Sequence, residues 1–299
     1  MKNFCRGFLI ILILGITLPI GFGQAPPQAE PAPVPKIVAI PRPTPEEVQL
    51  AERGLAKYLS KKADKKVKEI NKNYPGLIAV RVPPPNTAVI PSLSPQFVKK
   101  HELNLEVAKQ GDSQVLFMGD SITDFWRNEQ PPAYAGKPVF DKYFGNMKVA
   151  NFGIAGDTTQ GVLYRLQHGE GQGFNPKAIM LMIGTNNTMR NTAAEIAEGV
   201  GAVVLELQKD FPQAKILLLG IFPRSTPKDP VRATLAEINS IISKLHDGKN
   251  VFYLDIGSKF LDADGNISKE IMSDLLHPTT KGYEIWAEAV KEPLANLMK

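Results

Sequence analysis

Val115-Leu116-Phe117-Met118-Gly119-Asp120-Ser121-Ile122-Thr123 is the stretch that decides the fold. Its first four residues are apolar without alternation, which describes a short strand buried on both faces rather than an edge strand with one wet side. Gly119 ends the run, and Asp120 and Ser121 are both residue types that open helices. The stretch therefore reads as strand, turn, helix, with a serine hydroxyl carried on the turn.

Similar apolar runs follow at 149–152, 178–183, 216–221 and 251–254. Helix-length segments separate them, a pattern that predicts an α/β domain built on a parallel sheet covered on both faces. Thr192 and Glu195 form a capping box ahead of Ile196, Val200, Val203 and Leu207. Asp229-Pro230 places a cap and a first-turn proline before Val231, Leu235, Ile238 and Ile242. A helix is expected from about Gln96 to Lys109, and the last one begins near Thr280.

In open parallel sheets, functional groups gather beyond the carboxyl ends of the strands. There the sequence places Ser121, then Gly153-Ile154-Ala155-Gly156-Asp157, then Gly184-Thr185-Asn186-Asn187, and finally Asp274-Leu275-Leu276-His277-Pro278 before the last helix. Ser121 is the candidate acyl-transfer nucleophile, His277 its base, and Asp274 the group that orients the imidazole. The backbone N–H groups of Ser121 and Gly156 and the carboxamide of Asn186 are the candidate oxyanion hole. Each residue alone also reads as ordinary turn or cap chemistry; their succession after three strands and before the last helix favours catalysis.

On these blocks the chain resembles the SGNH, or GDSL, hydrolase superfamily, over about 96–299. Its texture is similar to platelet-activating factor acetylhydrolase-like proteins through Asn151 to Asp157, Arg165-Leu166 and Gly184 to Asn187. Carbohydrate acetylesterases share the same blocks. The resemblance implies a serine esterase with a flavodoxin-like three-layer sandwich around five parallel strands, needing no metal or organic cofactor. Many members have aspartate where this chain has Asn187, a departure that leaves the mechanism intact. The chain has no Gly-x-Ser-x-Gly elbow, which argues against the other common serine-esterase fold.

Asp120 and Asp157 are expected to orient turns. Trp126 reads equally as pocket wall or sheet cover, and Arg224 as a substrate contact or an exposed loop residue. His101, His168 and His246 have no partner at a suggestive spacing. No long insertion reads as a lid, and Pro131-Pro132, Gly136 and Pro138 break 122–147 into turns. The pocket is therefore expected to be shallow and suited to a short acyl group, with acetyl on a carbohydrate or small ester as the preferred substrate. A lysophospholipase or acyltransferase, or a non-catalytic envelope or glycan-binding protein on the same fold, are the alternatives.

Outward from this domain, residues 1–23 carry Lys2 and Arg6, an apolar run from Phe8 to Ile20 and small residues at Gly21 and Gly23. They read as a signal peptide, placing the mature protein outside the cytoplasm. The sole cysteine, Cys5, lies within it, so no disulfide framework is available. Residues 24–95 read as a linker that supplies no pocket residue: eight prolines fall between 25 and 45, and a basic helix is expected over about 45–73. Eight basic against five acidic residues in 45–73 offer a surface for an anionic envelope. From residue 82 onward there are 22 basic and 24 acidic residues, which disfavours nucleic acid as a partner despite a formal charge of +5.

Overall fold

The computed structural model describes residues 29–299, so the expected signal peptide lies outside the described residues. The five apolar runs form β1 (Val115–Gly119), β2 (Val149–Asn151), β3 (Ala178–Met182), β4 (Lys215–Leu219) and β5 (Val251–Leu254), paired in the order β2-β1-β3-β4-β5. Every pairing is parallel. This flavodoxin-like order reverses direction at β1 and opens a crevice beyond the carboxyl ends of β1 and β3.

The helices are α1 (Pro45–Lys57), α2 (Lys65–Asn73), α3 (Val98–Gln110), the single turn α4 (Ser121–Asp124), α5 (Lys137–Phe144), α6 (Thr159–Arg165), α7 (Ala193–Asp210), α8 (Pro230–Ile242) and α9 (Thr280–Leu297). Strand side chains alternate between two cores. Leu116, Met118, Ile179 and Leu181 pack under α6, α7 and α8, while Val115, Phe117, Met180 and Met182 pack under α5 and α9. Trp126 settles as sheet cover: fully buried, its ring lies 4.4 Å from Tyr283 and 4.9 Å from Trp286. Both expected caps form, Thr192 with Glu195 on α7 and Asp229 on α8.

Two expectations before residue 96 are corrected. The basic helix is two helices, because Asp64 accepts the Val67 N–H at 2.8 Å and starts a new N-terminus. Nor does the described part of the proline-rich segment stand off as a linker. Val38 is buried in the core beside α7, and the Ala32 N–H donates to the Val89 carbonyl at 2.7 Å. Glu198, buried on α7, takes the Ile40 N–H at 2.7 Å, both terminal nitrogens of Arg42 at 2.7 Å, and the Asn86 amide at 2.8 Å. Two glycines inside α7 make this approach feasible. A Cβ on Gly201 would lie 2.8 Å from Val38, and one on Gly199 would lie 2.9 Å from the Ala88 carbonyl oxygen. Glycine inside a helix is otherwise unfavourable by roughly 0.5–1 kcal/mol, so Gly199 and Gly201 were the available sequence signal for a chain crossing α7.

Candidate active site

Ser121 owes its position to close packing at the end of β1. A Cβ on Gly119 would fall 2.4 Å from the Met182 carbonyl oxygen on β3, so only glycine lets the chain turn there. Asp120 then caps the turn, accepting the Ile122 N–H at 3.0 Å. The Ser121 hydroxyl lies 2.9 Å from His277 Nε2. His277 Nδ1 lies 2.7 Å from Asp274 Oδ2, so the three residues form one hydrogen-bonded line.

The short loop from Asp274 to His277 is tied from both ends. Asp274 Oδ1 accepts the backbone N–H groups of Leu276 at 3.0 Å and His277 at 2.8 Å. Partial burial pushes the Asp274 carboxyl up, but the His277 ring and these N–H groups outweigh it and hold it below the usual carboxylate range. Leu275 adopts φ 61°, an unfavourable left-handed conformation for a side chain of its kind, and its carbonyl accepts the N–H of Ser225, itself at φ 63°. The His277 ring is flanked by Phe125 at 5.1 Å and Tyr134 at 5.5 Å between centroids, and the Tyr134 hydroxyl donates to Asp274 Oδ2 at 3.4 Å. Sequence reading passed over Phe125 and Tyr134, since neither stands at the end of a strand.

Gly156 and Asn186 follow the two strands that flank β1. Gly156 has φ +86°, which glycine adopts freely, and its N–H has no backbone acceptor among the described residues. Asn186 Nδ2 donates one hydrogen to the Asp157 carbonyl at 2.8 Å, which fixes the amide plane and leaves its second hydrogen available. Asn187 does different work. Buried, it accepts the Thr159 N–H at 3.1 Å and donates to Gln160 at 2.9 Å, tying the loop after β3 to the start of α6.

Asp157 and His101 belong to one buried network. Asp157 receives Arg165 Nε at 2.9 Å, Arg165 also pairs with Glu170, and Glu170 holds His101 Nδ1 at 2.8 Å. Burial opposes the Arg165 charge, and Glu170 and Asp157 more than restore it. His101 thus has a partner 69 positions away, a separation no local spacing reveals. His168 instead stacks on Tyr164, and His246 accepts the Tyr253 N–H at 3.1 Å. Arg224 donates to Thr188 at 2.7 Å and lines a groove with Asp274 and Leu275. Asp120 is fully buried, and this pushes its carboxyl up to about 7, with Asp157 adding to the rise. Among the described residues no cluster of three or more His, Cys, Asp or Glu could hold a metal ion.

A cleft of about 510 Å³ runs beside Gly156 and Asn186. A cavity of about 590 Å³ also lies between Lys259 and α9, but none of the site residues lines it. Ser92, Leu93 and Ser94 line the cleft, so the segment before residue 96 does supply pocket residues, contrary to expectation. That segment folds against α6 and α7, which brings it to the carboxyl end of the sheet.

A doubly wound sheet that carries a hydrogen-bonded line of Ser121, His277 and Asp274 beyond its carboxyl edge has the arrangement of an α/β serine hydrolase. The model of the GDSL-like Lipase/Acylhydrolase family matches residues 117–285. The alpha2 subunit of platelet-activating factor acetylhydrolase IB from Rattus norvegicus is 35% identical over 205 residues, covering 68% of this chain and 86% of that protein. Among solved structures, a Bacteroides fragilis protein described as a candidate acylhydrolase superposes with TM-score 0.55 at 18% identity, covering 70% of this chain and 100% of that one. A Streptococcus pneumonia protein described as a candidate platelet activating factor gives 0.53 at 22% identity, over 67% and 94%. The chain belongs to the GDSL-like lipase/acylhydrolase family and is an ester-cleaving serine hydrolase.

Proposed function

We propose that this protein is an exported esterase that removes a short acyl group, acetyl in the first instance, from a hydroxyl-rich alcohol such as a carbohydrate. The observation that carries the reading is the unbroken hydrogen-bonded line Ser121, His277, Asp274, with separations of 2.9 and 2.7 Å, beside a cleft of mixed polar lining. The acetylhydrolase relative supports the short acyl group. The signal-like residues 1–23 support export, and the exposed lysines of α2, with Lys61 and Lys62 before it, support contact with an anionic envelope surface.

In this mechanism Ser121 Oγ attacks the ester carbonyl as its proton passes to His277 Nε2. Asp274 stabilises the imidazolium, which returns the proton to the departing alkoxide. The N–H groups of Ser121 and Gly156 and the free amide hydrogen of Asn186 receive the negative oxygen of the tetrahedral intermediate. Water deprotonated by the same Nε2 then attacks the acyl-enzyme, and the acid leaves with Ser121 restored. The test is release of acetate from acetylated glycans and nitrophenyl acetate by the purified protein, together with labelling by a serine-directed phosphonate. Ser121→Ala should lose both hydrolysis and labelling; undiminished turnover in that variant would end the reading.

A further inference from the structure

One wall of the cleft comes from outside the region that the family model matches. Ser92, Leu93, Ser94, Gln96 and Phe97 precede residue 117, yet they share the cleft with Gly156 and Asn186. Their placement is determined by several independent bonds. The Ser92 N–H donates to the Gln160 carbonyl at 3.1 Å, the Thr159 hydroxyl donates to the Ala88 carbonyl at 2.7 Å, and Asn191 donates to the Thr87 hydroxyl at 2.9 Å. Asn86, buried, donates to the Glu195 carbonyl at 2.9 Å and to Glu198 at 2.8 Å. Phe97 is buried and lines the cleft, and its ring would lie 3.5 Å from a Cβ on Gly156.

The groups facing the cleft indicate what fits it. Ser92, Ser94 and Gln96 offer hydroxyls and an amide on one side; Gln160, Arg190 and Asn191 offer amides and a guanidinium on the other. Met189, 83% exposed, adds a large apolar surface at the rim. An acyl chain laid here would desolvate these polar groups without replacing their hydrogen bonds, a costly exchange. A sugar ring replaces them, with hydroxyls for the amides and a C–H face for Met189.

Resting on the esterase reading above, we propose that residues 92–97 form the wall of an oligosaccharide subsite, which holds the alcohol portion of the ester while its acyl group lies at Ser121. The segment from 29 to 97 is then a working part of the enzyme that sets its leaving-group specificity.

The full chain carrying Ser121→Ala is titrated calorimetrically with xylotetraose, cellotetraose and tetragalacturonate, which decouples binding from turnover. At least one should bind, and Ser94→Ala with Gln96→Ala should weaken it by about tenfold, as loss of two hydrogen bonds does. Arg190→Ala on the facing wall provides a second variant, with circular dichroism confirming that each one folds. Absence of binding by all three sugars, or unchanged affinity in both wall variants, overturns the subsite. Acetyl ester hydrolysis by the unmodified enzyme without sugar binding would sink the subsite alone. Sugar binding sensitive to the wall, without hydrolysis of any acetyl ester, would support the subsite and sink the esterase reading.

Discussion

The two adjacent asparagines after β3 divide the labour at the site. In the proposed mechanism Asn186 presents its remaining amide hydrogen to charge that exists only in the transition state, so Asn186→Ala should lower kcat by ~10²- to 10³-fold with little change in KM. A change confined to KM would remove it from the oxyanion hole. Asn187 is a structural tie. Asn187→Ala leaves the Thr159 N–H and Gln160 without their partner, and should cost about 2 kcal/mol in urea unfolding. Asp120 gives a pH signature. Its folded carboxyl is raised to about 7 by burial, so the folded state favours the protonated form. The resulting stability is fully present below the ordinary carboxyl range and is lost as pH rises towards about 7. Asp120→Asn, which mimics the protonated form, should flatten the fall in unfolding free energy between roughly pH 4 and 7. An unchanged slope would assign the fall to other groups.

At the scale of elements, α7 holds the crossing segment through one carboxylate and two missing side chains. Glu198→Ala removes the acceptor for Arg42, the Ile40 N–H and Asn86 together, and limited proteolysis between 29 and 45 should accelerate while the sheet domain resists. Gly199→Ala should gain up to about 1 kcal/mol of helix propensity. Yet its methyl group would press on the Ala88 carbonyl, part of a backbone that cannot swing aside, so the net effect on stability should be negative. A stabilised Gly199→Ala protein would show that the segment does not lie against α7 in solution. Helix caps were legible in advance at Thr192 and Asp229 because a cap bonds to N–H groups two or three residues away. The break at Asp64 has the same local chemistry and was obscured by the continuous run of lysines around it.

For the molecule as a whole, the proposed esterase acts on small acyl groups, with the cleft beside Gly156 and Asn186 taking the alcohol portion. We expect kcat/KM for matched nitrophenyl esters to fall from acetate through butyrate to octanoate. A maximum at octanoate, measured below the micellar concentration, would favour a lysophospholipase. Deleting residues 29–95 should not be neutral. It would strip Ala32, Val38 and Val89 from the α7 side of the core and remove Ser92, Leu93 and Ser94 from the cleft wall, lowering the melting midpoint and altering selectivity among leaving groups.

The sequence by itself determined the five strands, their covering helices and the line from Ser121 to His277. Each of these rests on a short-range signal: an unbroken apolar run, a cap, or a reactive residue directly after a strand. Only the tertiary structure decided that His101 meets Glu170, that Phe125 and Tyr134 flank the His277 imidazole, that the proline-rich segment crosses α7, and that residues 92–97 wall the cleft. These contacts join residues far apart in the chain, or groups whose partners are not specified by spacing. A backbone that satisfies its polar groups against a distant helix can carry the same proline-rich composition as one that satisfies them with water.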